Sequence, residues 1–370
     1  MAATDLATTV AWWGFGLGTI FGFIANKSNF CTMGAVSDIV NMGDWGRMRA
    51  WLLAIAVAMI GTNALAYLGY IDLSKTIYTG NSFPWLAYIV GGLVFGVGMT
   101  LGSGCGNKTL VRVGGGNLKS VVVFIYMGFA AMVTLKGILG AFRVKVLQAP
   151  AVTLQLDHGQ TLPAMLGSIG GLDQKTMLLA VTGIIALAIL IFVFIDREFR
   201  KHFDNNLAGL LLGLVVVAGW YITGHIGLAE NPETLEITYF GTNSHLAESM
   251  SFVAPTAYTM EYWAYWTDTT TVVTFGIATV FGVGVGSFIY SLITKSFRWE
   301  HFSSSQDMFR HIIGGTLMGF GGVTAMGCTI GQGMTGVSTL SLGSFLAFFS
   351  IVAGAAITMK IQYYMMMREA

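Results

Sequence analysis

The 370-residue sequence has little charge: 10% of its residues are Asp, Glu, Lys or Arg, whereas 54% are hydrophobic. A soluble domain carries about 25% charged residues. The chain therefore has too few charges to cover a water-facing surface of this size, and its mean hydropathy is +0.69. The net charge of +1 gives no strong field that would attract nucleic acid. This composition indicates an integral membrane protein.

Several signatures of other protein classes are also missing. The sequence has 3 cysteines, an odd number that argues against a disulfide framework. No Cys/His spacing fits a zinc site, and the lack of a Walker A loop disfavours an ATP-driven pump. Residues 1–10 contain no Lys or Arg, so we expect a retained first helix instead of a cleaved signal peptide. We expect neither a metal nor a cofactor.

Glycine, by contrast, is abundant, with 49 residues against 5 prolines. Glycines among apolar residues let membrane helices pack closely and break inside a protein-lined cavity. Several of the apolar segments are shorter than the roughly 17–25 residues that span a bilayer. We therefore predict an all-α integral membrane protein with about nine spanning helices and short, broken half-helices. The apolar segments are residues 11–25, 50–70, 84–102, 120–142, 176–195, 206–222, 270–294, 311–326 and 343–362.

Charged residues divide the loops into two groups. Basic residues cluster in 196–204 and 295–310, whereas 226–268 has no Lys or Arg and carries several carboxylates. By the positive-inside rule, the basic segments are cytoplasmic and the acidic loop is outside. Segment 143–175 is ambiguous, because two basic residues at its start oppose its otherwise external placement.

An internal repeat is visible in the sequence. Segments 96–105 and 319–328 align without gaps, and both end in Gly-Cys. A weaker pair of segments places Ile222 opposite Cys31. We therefore predict two related halves, each with two interrupted helices, and the boundaries 1–196 and 197–370. Matching glycine-broken helices in duplicated halves are the best sequence indication of a transporter's substrate site.

The chemistry of such breaks suits an anion. A helix that starts inside the membrane offers unpaired N–H groups and the positive end of its dipole. A thiol adds a weak, polarizable S–H donor, which matches a soft anion with a terminal sulfur better than it matches sulfate. A single buried cysteine is usually a small hydrophobic residue, but the matched contexts of Cys105 and Cys328 favour a functional role. We expect these two to form a central pair on the path of the anion, with Cys31 at the entrance or the exit of that path.

Two lysines lie close in sequence to the cysteines. Lys27 precedes Cys31 by four residues and would share a helical face with it. Lys108 follows Cys105 by three residues. Ionisable residues inside a membrane are candidates for function, and the alternative is that these long side chains extend to the membrane surface.

Three motifs, residues 29–35, 102–107 and 327–333, resemble those of the YeeE/YedE family of bacterial sulfur-transport membrane proteins. The resemblance implies an hourglass-like protein whose short broken helices meet near its centre. It also implies uptake of thiosulfate across the inner membrane, and a relay in which cysteine S–H groups pass the anion along. A small TusA-like sulfur-carrier protein often works beside such transporters.

The resemblance assigns the relay to Cys31, Cys105 and Cys328. Around these we predict a path lined by Lys27, Gly104, Gly106, Asn107, Lys108, Gly327, Thr329 and Gln332. One alternative is transport of another sulfur- or selenium-containing ion. A second is a membrane sulfurtransferase that forms a persulfide, which would need an activated thiolate and a nearby base. No His or carboxylate lies beside Cys105 or Cys328 in sequence, so we expect a transporter and not an enzyme.

Overall fold

The chain folds almost entirely into helices. The computed structural model describes residues 3–170, 173–231, 235–268 and 270–369. The helices of the first half are α1 (Ala3–Lys27), α2 (Thr32–Met42), α3 (Gly46–Tyr67), α4 (Trp85–Leu101), α5 (Gly106–Gly114), α6 (Leu118–Lys136), α7 (Ile138–Phe142), α8 (Leu162–Gly170) and α9 (Gln174–Phe194). Those of the second half are α10 (Arg197–Lys201), α11 (Phe203–Tyr221), α12 (Val253–Ala264), α13 (Phe275–Ile293), α14 (Ser305–Thr324) and α15 (Leu342–Glu369).

Short irregular helices and two small hairpins complete the described fold. The π-helices are Arg143–Leu147, Ile222–Ile226 and Gly331–Gly336, and Pro150–Val152 is a 3-10 turn. Strand β1 (Ser82–Phe83) pairs antiparallel with β2 (Leu154–Gln155), and β3 (Leu228–Glu230) pairs antiparallel with β4 (Ile237–Tyr239). The predicted all-α class is confirmed.

Within the described residues, eight helical stretches are long and apolar enough to cross a membrane. Helix α14 is not among them, but it packs along α4 and α6 inside the same bundle and gives a ninth crossing. The prediction of about nine spanning helices therefore agrees with the structure. The eight stretches are Asp5–Met42, Gly46–Tyr67, Trp85–Gly114, Leu118–Lys136, Gln174–Phe194, Phe203–Ile226, Phe275–Ile293 and Leu342–Arg368.

Helices of the two halves pack against each other in matched pairs. Helix α1 packs along α13, and the equivalent pair is α11 along α3. Helix α4 packs along α15, and the equivalent pair is α14 along α6. In each pair, glycines of one helix contact the backbone of the other, so the helix axes approach closely. This reciprocal pairing is what duplicated halves would produce. The boundary between residues 196 and 197 stays a prediction.

The two aligned Gly-Cys segments occupy equivalent places at the centre of the bundle. Helices α4 and α14 run antiparallel, because Gly91 lies against the Ala325 backbone while Gly98 lies against that of Met318. Gly321 of α14 makes the reciprocal contact with the Phe95 backbone of α4. Gly98 and Gly321, which are aligned in the sequence, thus both lie in the contact between α4 and α14.

One expected interruption does not form. Helix α11 does not stop at Ile222, which matches Cys31 in the weaker alignment, but continues as a π-helix to Ile226. The Gly227 N–H bonds back to the Ile222 carbonyl, so the backbone stays hydrogen-bonded through this point. No residue with positive φ ends this helix at Ile222, unlike the helices before the three cysteines.

The ends of α1 identify the two faces of the molecule. At its C-terminal end, Lys27 pairs with Asp204 at 3.1 Å, and Asn26 donates to the Ser291 hydroxyl at 3.0 Å. Both partners lie in or beside the basic segments. The N-terminal part of α1 packs on Gly241 in the acidic loop. Following the positive-inside rule, we call the basic side the inner face and the opposite side the outer face.

The segment of ambiguous placement lies on the outer face. Thr76, in the loop before α4, forms a β-bridge with Ala247 of the acidic loop. Strand β1 also lies in the loop before α4, and it pairs with β2 of the ambiguous segment. Lys136, just before the segment, forms an ion pair with Glu261 at 2.6 Å. The basic residues at the start of 143–175 are therefore on the outer side, where charge counting alone could not place them.

Two glycines on α13 test the close packing of α1 on α13. A Cβ added at Gly286 would overlap the Thr19 carbonyl oxygen, whereas one added at Gly284 would meet nothing within 4 Å. Overpacking costs about 1–3 kcal/mol. We expect Gly286→Ala to lower the melting temperature of the detergent-solubilised protein and Gly284→Ala to leave it unchanged or slightly higher. Equal melting temperatures for the two variants would contradict this helix contact.

Candidate functional site

Each cysteine begins a new helical segment after a break. Cys31 and Cys105 are the N-cap residues of α2 and α5, and Cys328 precedes the helical turn that leads into Gly331–Gly336. The incoming helix ends because a residue two positions earlier adopts the left-handed conformation, which turns the chain. Those residues are Asn29, Ser103 and Met326, with φ of 52°, 57° and 59°.

The cysteine sulfurs face the free N–H groups of the helices that they begin. Cys31 Sγ accepts a hydrogen bond from the Gly34 N–H at 3.5 Å, and Cys328 Sγ accepts one from the Gly331 N–H at 3.4 Å. In these two cases, sulfur takes the place of the oxygen of a Ser or Asp cap. The Cys105 sulfur lies near the N–H of Lys108, at the same position in its helix, but makes no capping hydrogen bond. Because only a lone pair of sulfur is used, each S–H remains able to donate.

The structure brings the three thiols together in the interior. Cys31, Cys105 and Cys328 are 5%, 0% and 0% exposed, and all are free thiols. The Cys105 thiol lies close to that of Cys31 and to the hydroxyl of Thr329, the residue after Cys328. Cys328 is also close enough to Cys105 to interact with it electrostatically. The central pair of Cys105 and Cys328 stays a prediction.

Four buried polar atoms around the cysteines have no hydrogen-bond partner among the described residues: Thr32 Oγ1, Asn107 Oδ1, Thr329 Oγ1 and Gln332 Oε1. A buried polar group without a partner is destabilising and uncommon. The amide nitrogens of Asn107 and Gln332 are used, since they donate to the carbonyls of Phe30 at 3.3 Å and Ala325 at 2.5 Å. The unpaired atoms are consistent with a polar guest in this region.

Thr32 was missed by the sequence reasoning, although the sequence contained a signal for it. A threonine directly follows a cysteine at both Thr32 and Thr329. Both side chains are buried, and both hydroxyls lack a partner among the described residues. The shared Cys-Thr dipeptide would have identified Thr32.

The two predicted lysines have different surroundings. Helix α1 ends at Lys27, so this residue does not share a helical face with Cys31 as expected, and it pairs with Asp204 on the inner face instead. The Lys108 ammonium group bonds to the side-chain oxygen of Asn29 and lies close enough to the Cys31 thiol to interact electrostatically. Lys108 is therefore a cation that the structure places beside the cysteines, and Arg47 lines a small pocket together with Cys31.

The predicted glycines differ in the space that they leave. A Cβ on Gly106 would come no closer than 3.7 Å to any neighbour, whereas one on Gly327 would lie 3.0 Å from Gln332 Cγ. At Gly104 the nearest atoms are those of the Lys108 side chain, at 3.3 Å. Gly327 thus permits the tight turn before Cys328, whereas a Cβ on Gly106 would fit at ordinary van der Waals distance from its neighbours.

A cavity of about 210 Å³ lies between the outer face and this cluster. Its wall includes Gly327, the residue before Cys328. Sequence reasoning did not identify this cavity, because its residues come from four separate outer segments. Its polar side chains are Tyr78, Arg143, Ser244, Glu248, Ser249, Ser251 and Tyr258.

A second cavity, of about 670 Å³, lies on the inner side of the broken helices. It is lined by Met33 and Ser37 of α2, by Ser103 in the break before Cys105, and by Lys360 and Tyr363 of α15. The buried cysteines therefore lie between an outer and an inner cavity.

Two proteins of known name are similar to this chain over almost its whole length. A protein named thiosulfate transporter TsuA from Escherichia coli strain K12 is 24% identical over 377 residues, covering 95% of each chain. A second protein of that name, from Spirochaeta thermophila, is 24% identical over 355 residues, covering 93% of this chain and 96% of its own. The alignments span nearly the whole length of these relatives.

The expected location is confirmed as well. The eight apolar stretches of the described residues make this a multi-pass membrane protein, and its bacterial relatives are transporters. Helical spans of this kind belong to the bacterial inner membrane. The sequence profile described as sulphur transport matches residues 27–357. The chain therefore belongs to the sulphur-transport family of membrane proteins.

Proposed function

We propose that this protein takes up thiosulfate across the bacterial inner membrane. The observation that carries the proposal is the convergence of three buried cysteines, each at the start of a helical segment, between an outer and an inner cavity. The relatives from Escherichia coli and Spirochaeta thermophila are both named thiosulfate transporters, which supports the same substrate here.

In the proposed path, the anion moves from Cys328 to Cys105 and then to Cys31. A dianion that leaves water needs hydrogen bonds to replace its hydration shell. S–H donors, helix N–H groups and the unpaired Thr329 hydroxyl provide such bonds without a full positive charge. Binding is then weak enough at each station for the ion to move on.

The proposal involves transport without covalent chemistry at the thiols. A persulfide-forming enzyme would need a base beside its nucleophile, and no His or carboxylate lies beside Cys105 or Cys328 in the sequence. A TusA-like carrier protein is the proposed cytoplasmic recipient of the sulfur. Lipid surrounds the apolar outer surface of the bundle.

Uptake of isotope-labelled thiosulfate tests the proposed function. The protein is reconstituted into liposomes, and uptake is compared with that of labelled sulfate and of selenium-containing analogues. We expect thiosulfate to enter and sulfate to be excluded, because S–H donors match the terminal sulfur. A stable persulfide detected on a cysteine by mass spectrometry would favour the enzyme alternative. Preferential uptake of a selenium-containing ion would favour the alternative substrate.

Replacing Lys108 should weaken attraction of the anion. Because the Lys108 ammonium lies beside Cys31, we expect Lys108→Gln to lower uptake several-fold. Wild-type uptake should also fall more steeply with ionic strength than uptake by the variant. Lys27→Gln is the matched comparison, since Lys27 pairs with Asp204 at the surface, and its effect should be smaller. Unchanged uptake in Lys108→Gln would remove this lysine from the path.

A further inference from the structure

The outer cavity contains a cation that lacks a full set of partners. Arg143 lies in the π-helix after α7 and lines the cavity together with Tyr258 of α12, with which it interacts electrostatically. Its Nε atom is buried and has no hydrogen-bond partner among the described residues. A guanidinium group binds oxyanions through several parallel N–H donors. The arrangement therefore leaves Arg143 available to an anion inside the cavity.

The same cavity contains a buried carboxyl group. Glu248 Oε1 accepts hydrogen bonds from the Ser244 N–H at 2.9 Å and from the Ser244 hydroxyl at 2.5 Å. Its backbone is held by Thr223, whose hydroxyl donates to the Glu248 carbonyl at 2.5 Å and accepts from its N–H at 3.0 Å. The carboxyl group is thus fixed in place at the cavity wall.

Glu248 has no ion-pair partner among the described residues. Burial raises its pKa above the usual range for a glutamate, and the Ser244 hydrogen bonds only partly oppose this effect. The titratable or charged groups lie beside it and on the segments packed around it: His245, Lys75 and Tyr78 of the loop before α4, His225 of the π-helix that contains Thr223, Arg143, and Tyr258 and Glu261 of α12, the latter paired with Lys136.

We propose that the outer cavity is a proton-linked anion site, in which Arg143 binds the incoming dianion and Glu248 takes up one proton from the outside solution as the anion enters. The inference rests on the proposed function for the identity of the anion. An ionised Glu248 in this confined space would repel a dianion, and repulsion between charges is strong where water is largely excluded. The proton adds to the carboxylate oxygen, and no bond of the anion is broken.

The proposal fixes the direction of the pH effect. An anion in the cavity stabilises the protonated form of Glu248, so anion binding draws a proton from solution. By linkage, lower pH must then strengthen anion binding. With one proton per anion, the dissociation constant changes by up to about tenfold per pH unit in the range where the empty site is ionised. Binding of thiosulfate from the outer face is therefore strongest in acidic medium.

Two measurements on the purified full-length protein test the proposal. The dissociation constant for thiosulfate is measured by calorimetry from about pH 6 to about pH 8, where a free thiosulfate ion stays a dianion and a solvent-exposed glutamate stays ionised. Proton uptake on thiosulfate addition is followed with an indicator dye in weak buffer. We expect the wild type to bind more tightly at lower pH and to take up close to one proton per bound anion.

Glu248→Gln should abolish both the proton uptake and the pH dependence, because the amide does not titrate. Glu230→Gln changes an exposed carboxylate in β3 on the same face and should behave like the wild type. Arg143→Gln should weaken binding several-fold at every pH without removing the slope, and Arg143→Lys should restore part of the affinity.

A second variant, Ser244→Ala, tests the role of Glu248 if Glu248→Gln does not fold. Ser244→Ala removes the hydroxyl that stabilises the ionised carboxylate, so it should move the pH dependence of binding to higher pH. Two results would contradict the proton-linked site: wild-type proton uptake in a folded Glu248→Gln variant, or an unshifted pH dependence of binding in Ser244→Ala. Neither result would contradict thiosulfate transport. If the wild type binds no thiosulfate at any pH, the proposed function itself fails.

Discussion

Replacing Cys105 by alanine should reduce thiosulfate uptake to the background of empty liposomes. Cys105 is fully buried and lies close to both the Cys31 thiol and the Thr329 hydroxyl, so its S–H group is a donor in the middle of the proposed path. Loss of one hydrogen bond to a charged group costs about 1.5–3 kcal/mol, which corresponds to roughly a 10- to 150-fold loss of rate. We expect a similar loss of thiosulfate uptake for Cys328→Ala and a smaller loss for Cys31→Ala.

Serine variants separate thiol chemistry from side-chain volume. Cys105→Ser keeps a similar volume and a hydrogen-bond donor, but its harder hydroxyl matches oxygen better than sulfur. We therefore expect impaired thiosulfate uptake in this variant too, with a smaller loss than for alanine. Removing one small buried thiol typically costs about 1 kcal/mol of stability, so the variants should fold, which size-exclusion profiles would verify. Wild-type uptake by both Cys105→Ala and Cys328→Ala would show that the cysteines only fill space.

The second large effect is expected at Thr329. Its hydroxyl lies between Cys328 and Cys105 in the proposed path and lacks a hydrogen-bond partner among the described residues. Thr329→Val removes this hydroxyl at nearly constant volume. We expect uptake to fall at least about tenfold, because the anion loses one hydrogen bond where it has no water. The melting temperature should not fall, since no hydrogen bond of the protein is lost.

Thr182 provides the matched control for this change. It is also buried, and its hydroxyl also lacks a partner within the described chain, but it lies in α9, away from the broken helices. Thr182→Val should therefore leave uptake at the wild-type level. Equal losses in Thr182→Val and Thr329→Val would show that the effect comes from general helix packing. No loss in either would remove Thr329 from the path.

The sequence contained enough to predict the membrane class and the breaks in the helices. Lipid cannot solvate charge or unpaired backbone groups, so a spanning protein must have long apolar segments, and these are visible in the composition alone. The Gly-Cys breaks were visible because small residues recur at matched positions in segments 96–105 and 319–328. The expected break at Ile222 was wrong, because alignment of apolar residues cannot distinguish a stopped helix from one that continues as a π-helix.

Contacts between distant segments were decided only by the tertiary structure. Local sequence spacing suggested that Lys27 would lie beside Cys31, but α1 ends at Lys27 and the side chain turns to Asp204. A neighbour of Cys31 is instead Cys105, brought there where the start of α5 meets the break before α2 and the Asn107 amide donates to the Phe30 carbonyl. Such a contact depends on how helices cross, and helix crossing is set by many small packing contacts that no single segment contains.

The outer cavity shows most clearly which features the sequence determined and which only the tertiary structure decided. From the sequence alone, Glu248 was one of several carboxylates in an acidic loop, and Arg143 was a basic residue that confused the orientation of its segment. The sequence determined that these residues are ionisable and that their loops lie outside the spanning helices. Only the fold decided that they share one cavity beside Gly327, because burial and proximity arise from surfaces that meet after the chain has folded.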